Sequence, residues 1–325
     1  MFDFLKIRKC LQDKDTPNFK NCTHIGTYNN GLHIFHLKGY KPLAVQWYED
    51  SRILRIKGSL PYYFKGHNFT YSQNELIETI NNIEKLLCID LWDADVEAFE
   101  FGCVFPVERK PIDYIQNHSA DPKAHLGTNV MGKYKGYSKE WENSIMKLKI
   151  YDVVRNYTYS KKINARDVIA KCGYNPKKNY MRFELHQKQP HLLNSGKYLL
   201  VRDLVSKPFQ PFLSKYLLGL YQNSLIPTKT IIQPVNKKDF ASPDIMVSVL
   251  IGEGLTVQGI EKKAKCIIRN TDCFTKGDRA ARGKMVDNIL ARVQESEESQ
   301  WDLTENIMAA LEAENREFND NQQPL

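Results

Sequence analysis

The first sixty residues break into short β-rich runs separated by turn signals, and no other pattern constrains the fold as strongly. The runs are rich in β-branched and aromatic residues, and glycine, asparagine or proline marks the breaks between them. They are HIGTY, LHIFHL, LAVQWY and RILRIKG. They predict an antiparallel meander at the start of the chain.

An amphipathic helix is predicted directly after this meander. Apolar residues in YSQNELIETINNIEKLL recur at the spacing of one helix face, and Ser72 with Glu75 three residues later has the pattern of a capping box. Further strands are predicted in DVEAFEFGCVF, residues 129–137, MKLKIYDVV and NYMRFELHQK, and a helix in residues 161–171. This order predicts an α+β fold, a mainly antiparallel sheet with helices on one face.

The last third of the chain is predicted to be mostly helical. Residues 201–222 form a helix pattern interrupted by Pro208 and Pro211, and a linker opens at 227–228. Two apolar-periodic segments over 243–268, a basic link GDRAARGK, an acidic helix over 285–317 and a frayed end complete the chain. We therefore predict a main domain at 1–225 and a smaller helical C-terminal region at 226–325.

The charge of the chain is distributed unevenly along its length. Residues 286–325 carry ten acidic residues against two arginines, and because the whole chain is +8, about +16 remains on the first 285 residues. A body this basic favours nucleic acid as a partner, since lysine and arginine release the counterions of phosphates. A basic surface that only keeps the protein in solution is the alternative.

Cysteine usage and hydropathy indicate the compartment. The seven cysteines form no CxxC pair and are odd in number, which does not suit a disulfide framework. The charged N-terminus lacks the apolar core of a signal peptide, and no run of about 18 apolar residues occurs. These features predict a cytoplasmic protein with no membrane association.

Two glutamates within strands are the first candidates for chemistry. Glu100 and Glu184 lie in apolar, alternating segments, where a buried carboxylate is costly unless a cation neutralises it. Two carboxylates from adjacent strands would suit Mg²⁺ or Mn²⁺. Alternatively Arg182 or a lysine pairs with each glutamate, or both face solvent. The sequence contains neither a GxxxxGK[ST] loop nor a GxSxG elbow.

Three tyrosines follow in a basic segment. Tyr151 lies on the predicted strand KLKIYDVV with Lys149 on its own side, and Tyr157 and Tyr159 share one face of any continued strand. A phenol of pKa about 10 is a poor nucleophile near neutrality, but cationic neighbours or a metal favour the phenolate. Packing within strands is the plainer interpretation of all three.

The order of four segments resembles a known family. RIKGSLPYYFKGHNF, a helix, DVEAFEFGCVF, YKGYSKEWENSIMKLKIYDVV and YMRFELHQK follow one another as in the replication initiators of filamentous phages. This is the gene II protein family of rolling-circle endonucleases, with relatives among plasmid replication proteins. The resemblance spans roughly residues 50–220.

The resemblance implies roles for individual residues. It places the nucleophile at Tyr151 and the metal ligands at Glu184, through the shared RFE, and Glu100, where AFE replaces a pattern like RID. His67 of the GHN motif becomes a third ligand or a residue that fixes the turn. The lysine of a Tyr-Asp-Lys pattern is missing after Asp152, which leaves Lys149 or Arg155 as substitutes. The phenolic proton passes to a glutamate, Asp152 or a metal-bound water.

The implied function is initiation of rolling-circle DNA replication. With Mg²⁺ or Mn²⁺, such an enzyme nicks origin DNA, forms a 5′-phosphotyrosine link and frees a 3′-OH for a host polymerase, alongside a host helicase. Residues expected to contact DNA are Lys65, Lys147, Arg155, Lys161 and Arg182. The alternatives are a non-catalytic DNA-binding replication regulator and a mobilisation relaxase, although the absence of a histidine cluster in the sequence argues against the relaxase.

Overall fold

Ten strands form one antiparallel sheet in the computed structural model, which describes residues 1–130, 137–227, 257–270, 274–295 and 301–320. The strand order across the sheet is β2-β3-β4-β5-β1-β6-β11-β10-β9-β8. The sheet strands are β1 (Phe2–Cys10), β2 (Cys22–Thr27), β3 (Leu32–Leu37), β4 (Leu43–Tyr48), β5 (Ile53–Ser59), β6 (Asp95–Val107), β8 (Gly127–Val130), β9 (Ser138–Glu142), β10 (Met146–Asp152) and β11 (Asn179–Gln187). Two short strands, β7 (His118–Ala120) and β12 (Leu225–Pro227), lie outside it.

The predicted meander is confirmed as β2 to β5, but the strand that joins it to the rest of the sheet was not predicted. This strand is β1, which pairs with β5 on one side and β6 on the other. Its pairing with β6 shifts register between Phe2 and Leu5. Such a bulge breaks the alternation of apolar and polar residues, which explains why the pattern of a strand is not visible there.

Helices alternate with strands in the main part of the chain. Ser72 and Glu75 form the complete capping box predicted for the second helix, with backbone-to-side-chain bonds of 3.2 and 2.7 Å. The helices are α1 (Leu60–Lys65), α2 (Gln73–Leu87), α3 (Pro111–Gln116), α4 (Val153–Arg155), α5 (Ala165–Lys171), α6 (Val201–Leu204), α7 (Phe209–Ser224), α8 (Val257–Asn270), α9 (Lys276–Glu295) and α10 (Thr304–Asp320). One turn of π-helix, Asn156–Lys161, continues α4, and 3₁₀ turns lie at Pro122–Ala124 and Pro190–Asn194.

The segment after β10 differs from the prediction. The strand ends at Asp152, whose side chain caps α4 by accepting the backbone N–H of Arg155 at 3.0 Å. Tyr157 and Tyr159 therefore lie on the π-helical turn, and the strand does not continue to them. The helix predicted from residue 161 begins at Ala165, because Asn164 caps it through the N–H of Asp167.

The C-terminal helices also begin elsewhere than predicted. The basic segment GDRAARGK lies inside α9 and is not a link, because Thr275 and Asp278 form the capping bonds that start a helix there. The acidic helix predicted over 285–317 is divided between α9 and α10. The linker opened at 228, most of the 243–268 segments and the last five residues fall outside the described residues.

The chain forms two compact units. The first comprises Met1–Gln116, Ala120–Ile226 and Leu303–Leu325, and the second Asn117–Ser119 and Pro227–Asp302. The first unit contains the sheet, and its mainly antiparallel α+β architecture, followed in the chain by helices, is as predicted. None of the helices in the described ranges is long and apolar enough to cross a bilayer.

Aromatic side chains fill one face of the sheet in the first unit. Phe2 packs edge-on against Phe99 and Phe101 at centroid distances of 5.7 and 5.4 Å. Phe183 packs against Tyr221 of α7 at 5.5 Å. Because successive residues of a strand alternate between faces, the residues between these phenylalanines point to the opposite face.

Candidate metal and tyrosine site

The opposite face of the sheet carries polar residues in register across three strands, β6, β11 and β10. On β10 and β11, Lys149 lies opposite Glu184 and Tyr151 opposite Arg182. On β11 and β6, Glu184 lies opposite Gly102. Partners in an antiparallel pair project from the same face, so the candidate tyrosine, both predicted carboxylates and two basic residues share one surface.

Three carboxylates converge on this surface. One oxygen from each of Asp3, Glu100 and Glu184 lies within 4.8 Å of the other two. The two glutamates are the residues predicted from sequence, whereas Asp3 was missed. The bulge in β1 lies at Asp3, and bulges commonly redirect side chains next to functional sites. The sequence signal that could have identified Asp3 is its position as an acidic residue inside the otherwise apolar run MFDFL.

Asp3 is held by three neighbours from distant parts of the chain. Its carboxylate accepts hydrogen bonds from the hydroxyl of Ser59 and the side-chain amide of Asn68. The guanidinium of Arg182 lies 3.5 Å from Oδ2. Only 5% of Asp3 is exposed, so these contacts replace the water that would otherwise solvate the charge.

Glu184 is surrounded by cations and by the candidate nucleophile. Arg182 Nε lies 2.8 Å from Oε2, and Lys149 Nζ lies 3.5 Å from Oε1. The Tyr151 hydroxyl donates to Oε2 at 3.2 Å. Burial alone would raise the pKa of Glu184, but the charges of Lys149 and Arg182 outweigh it and hold the pKa below its usual value. Glu184 is therefore ionised near neutrality.

Glu100 has less compensation for its charge. Burial, together with the charge of Glu184, raises the pKa of Glu100, while a 3.0 Å contact with His186 Nδ1 opposes that rise. The cluster would thus gain from a further cation. His186 was not predicted, although its position two residues after Glu184 on the same strand places it on the same face.

The donor set fits a hard divalent cation. Oxygen ligands bind Mg²⁺ or Ca²⁺ at about 2.0–2.6 Å, so ligands on opposite sides of one ion lie up to about 5 Å apart. Three carboxylate oxygens within 4.8 Å of one another meet this limit. Beside them lies a cavity of about 220 Å³, lined by Glu100, Glu140, Glu142, Lys147, Lys149, Glu184, His186 and Lys188.

Tyr151 is buried in the structure. It is 3% exposed and belongs to an apolar cluster with Tyr62, Phe69 and Tyr157. Burial raises the pKa of the Tyr151 hydroxyl well above its usual value, the charge of Glu184 raises it further, and Arg182 opposes both. Lys149 Nζ lies 4.7 Å from the centre of the ring.

Asn68 connects the cluster around Tyr151 to the carboxylates. Its side-chain amide donates to Asp3, and its backbone carbonyl oxygen accepts from Arg182 Nη1 at 2.7 Å. Tyr157 donates to Asn68 Oδ1 at 2.9 Å and accepts the Asn68 backbone N–H at 3.2 Å. Asn68 lies in the GHN motif, yet sequence reasoning singled out only His67 there.

The other predicted ligand and base lie apart from the carboxylates. His67 is not among the three grouped residues, and burial together with Lys65 lowers the pKa of its imidazole. The carboxylate of Asp152 is engaged by the N–H of Arg155 in the cap of α4. The structure therefore brings Tyr151, Lys149, Glu100 and Glu184 together, but not His67 or Asp152.

The residues predicted to contact DNA have varied surroundings. Lys65 pairs with Glu75 at 2.6 Å, and Lys147 with Glu140 at 3.1 Å. Arg182 is 1% exposed, which leaves it no surface for DNA in this structure.

Arg155 belongs to an aromatic stack. Its guanidinium carbon lies 4.0 Å from the ring centre of Tyr137, and Tyr137 stacks on Tyr159 at 5.8 Å with an interplanar angle of 8°. Tyr159 is 53% exposed. The remaining predicted residue, Lys161, lies with Nζ 5.1 Å from the ring centre of Tyr62.

Comparisons with known proteins gave one structural likeness. No family model matches the sequence, and no curated protein matches it. A solved structure described as a rolling circle replication initiator protein from Geobacillus stearothermophilus is similar over 73% of this chain and 89% of that chain, with 12% sequence identity and a TM-score of 0.37. A likeness of this size does not assign an activity to the chain.

Proposed function

We propose that this protein initiates rolling-circle DNA replication by nicking origin DNA through Tyr151. The observation that carries the proposal is the hydrogen bond from the Tyr151 hydroxyl to Glu184, at 3.2 Å. Glu184 is at once an acceptor for the phenolic proton and one of three converging carboxylates. The site thus holds a nucleophile in direct contact with a proton acceptor that also belongs to a set of acidic metal ligands. This arrangement suits the transfer of a phosphoryl group.

The carboxylates would hold the divalent cation. Asp3, Glu100 and Glu184 are its proposed ligands, in place of the pair predicted from sequence. When bound, Mg²⁺ or Mn²⁺ supplies positive charge that stabilises the phenolate and the charge developing on the phosphoryl oxygens. The carboxylates are oriented by hydrogen bonds from Ser59 and Asn68 and by an ion pair with Arg182, as is common for the outer partners of metal ligands.

The proposed reaction exchanges one phosphoester bond for another. The Tyr151 oxygen attacks phosphorus while its proton passes to Glu184, and the bond from phosphorus to the 3′ oxygen breaks. The 3′ oxygen takes up the proton that passed to Glu184 and leaves as a 3′-OH, which would prime a host polymerase acting with a host helicase. The 5′-phosphate remains on Tyr151, so the bond energy is kept for rejoining.

Access to Tyr151 requires a local rearrangement. At 3% exposure the hydroxyl cannot meet a phosphodiester in the described conformation. The ring is covered by α1, the segment around Phe69 and the π-helical turn, which pack together in one apolar cluster. Gating of this kind is common where a catalytic site must be completed by its substrate.

Exposed aromatic and basic groups beside Tyr151 would contact the DNA strand. Tyr137, whose carbonyl accepts the Asp152 N–H at 3.0 Å, lies next to the end of β10. The stack of Arg155, Tyr137 and Tyr159 therefore offers a flat exposed surface close to the candidate nucleophile. Such surfaces bind unstacked bases without reading their sequence.

A denaturing-gel assay tests the proposal. Wild type and Tyr151→Phe are incubated with Mn²⁺ and single-stranded DNA of the replicon that encodes the chain, with Tyr159→Phe as the matched tyrosine control. We expect a protein–DNA adduct in wild type and in the control, and its loss in Tyr151→Phe. An adduct that survives in Tyr151→Phe but disappears in Tyr159→Phe would move the nucleophile to the exposed tyrosine.

One alternative function has support of its own. The burial of Tyr151 and the pairing of Glu184 with both Arg182 and Lys149 favour a non-catalytic DNA-binding regulator. That function requires salt-sensitive DNA binding with no adduct under any divalent ion. The relaxase alternative has less support, since the metal-ligand group found among the described residues contains only carboxylates.

A further inference from the structure

Two lysines from distant parts of the chain meet on one tyrosine ring. Lys41 Nζ lies 4.4 Å from the ring centre of Tyr62, and Lys161 Nζ lies 5.1 Å from the same centre. Lys41 belongs to the turn between β3 and β4, whereas Lys161 ends the π-helical turn after β10. The fold therefore places two positive charges beside a single aromatic side chain.

Backbone hydrogen bonds fix both lysines in place. The N–H of Lys41 donates to the carbonyl of Tyr62 at 3.1 Å, and the N–H of Tyr40 donates to that of Tyr63 at 3.0 Å. The turn that ends in Lys161 is closed by Lys162, whose N–H bonds the carbonyl of Tyr157 from a left-handed conformation. The two ammonium groups are thus carried by ordered segments.

Among the described residues, no carboxylate compensates the charge of this pair. Within the described part of the chain, neither Lys41 nor Lys161 has an acidic oxygen within 4.0 Å. Burial and the charge of Lys161 lower the pKa of Lys41, as expected for cations that repel each other. By contrast, the three lysines that line the cavity beside the carboxylates each have an acidic partner: Lys147, Lys149 and Lys188.

The position of the pair favours a phosphate of DNA as its ligand. Tyr62 belongs to the same apolar cluster as Tyr151 and Tyr157, so the lysines border the group that covers the candidate nucleophile. Two compact, flexible ammonium groups suit a phosphate oxygen, which they bind as point charges. An anion between them would relieve their repulsion, which the cation–π contact with Tyr62 offsets only in part.

We infer that Lys41 and Lys161 form a binding site for one phosphodiester of the single strand that flanks the phosphate attacked by Tyr151. This inference rests on the proposed function and adds a defined contact to it. Lys161 was already expected to touch DNA, whereas nothing in the sequence pointed to Lys41. Binding at this site would also act on α1 and the π-helical turn, the two elements that cover Tyr151.

The test measures binding of a fluorescein-labelled oligodeoxythymidylate by anisotropy over a range of KCl concentrations. The variants are Lys41→Gln, Lys161→Gln and the double variant, with Lys85→Gln on the exposed side of α2 as the matched control. We expect the slope of log affinity against log salt to fall by about one unit in the double variant. The slope of Lys85→Gln should equal that of wild type.

Charge-conserving variants guard against a folding defect. Lys41→Arg and Lys161→Arg should retain the wild-type slope, and circular dichroism should be the same for all variants.

A double glutamine variant with the wild-type slope overturns the phosphate site, and so does a wild type that does not bind the single strand. If the adduct assay succeeds while this slope is unchanged, the proposed function stands without the site. If the slope falls but no adduct ever forms, the site stands in a non-catalytic binding protein.

Discussion

Gly102 faces Glu184 across β6 and β11 so closely that a Cβ atom added at Gly102 would lie 2.6 Å from the Cβ of Glu184. It would also lie 2.5 Å from the carbonyl oxygen of Phe183. The obstructing atoms belong to the backbone and to the root of a buried side chain, which cannot move aside cheaply. The absence of a side chain at residue 102 is therefore a condition for the position of Glu184.

Gly102→Ala should destabilise the protein and disturb the carboxylate site together. Overpacking of this kind lowers the free energy of unfolding by about 1–3 kcal/mol. Here it would also displace β11 at Glu184, which carries the carboxylate. Urea denaturation would measure the free energy of unfolding. Gly26→Ala is the matched control, because no atom lies within 4 Å of a Cβ added there. Equal stability of the two variants would contradict the crowding argument.

Mn²⁺ should stabilise the wild-type protein through Asp3, Glu100 and Glu184. A ligand at 100 times its dissociation constant adds about 2.7 kcal/mol to the free energy of unfolding. Asp3→Asn, Glu100→Gln and Glu184→Gln should each abolish most of this gain in a thermal-shift titration. The exposed Glu78 on α2 supplies the control Glu78→Gln. A wild-type response in Asp3→Asn would remove Asp3 from the ligand set.

Tyr157→Phe should destabilise the fold. The Tyr157 hydroxyl is buried and makes two hydrogen bonds with Asn68, so its loss leaves polar groups of Asn68 unpaired. We expect a loss of about 1–3 kcal/mol in the free energy of unfolding. Tyr159→Phe, at an exposed position, should change it by much less. A Tyr157→Phe protein as stable as wild type would show that water replaces the hydroxyl.

The stability conferred by Asp152 should depend on pH in a defined direction. Burial raises the pKa of Asp152 although Arg155 opposes the rise, so the folded state binds the proton more tightly than the unfolded state. The contribution of Asp152 to stability therefore falls as pH rises from the unfolded pKa of about 3.9 through the folded value.

Asp152→Asn keeps the cap of α4 without the charge. Its free energy of unfolding relative to wild type should therefore increase with pH over that window, as measured by urea denaturation at a series of pH values. A difference that decreases with pH would mean that Arg155 outweighs burial. The variant also tests the predicted catalytic role, since an unchanged adduct yield would exclude Asp152 as the base.

Tyr159→Ala should weaken binding of single-stranded DNA. Stacking of a base on an exposed aromatic ring contributes about 1–3 kcal/mol by alanine substitution, which is a five-fold to more than hundred-fold change in dissociation constant. Tyr28→Ala removes an equally exposed ring from the turn between β2 and β3 and is the control. Equal affinities of the two variants, measured by anisotropy, would exclude the stack of Arg155, Tyr137 and Tyr159 as a base platform.

Local patterns in the sequence were sufficient for most of the elements. The meander, α2 with its capping box and the strands that carry Glu100, Tyr151 and Glu184 follow from short-range alternation and capping, which depend on neighbours a few residues apart. The same reasoning failed where a cap competes with a continuing pattern. The cap formed by Asp152 ends β10, although the apolar run continues past it. The cap formed by Thr275 starts α9, although the basic segment that follows has the composition of a link.

The site itself depended on tertiary structure. Asp3 joins Glu100 and Glu184 because β1 enters the middle of the sheet with a bulge, and pairing between strands almost a hundred residues apart is not encoded in any local period. Lys41 and Lys161 likewise meet only because α1 presents Tyr62 to both. The sequence alone thus determined the strands and which residue types they carry. The long-range register decided which charges come into contact, because electrostatic and metal-binding interactions act over a few ångströms in space, whatever the separation along the chain.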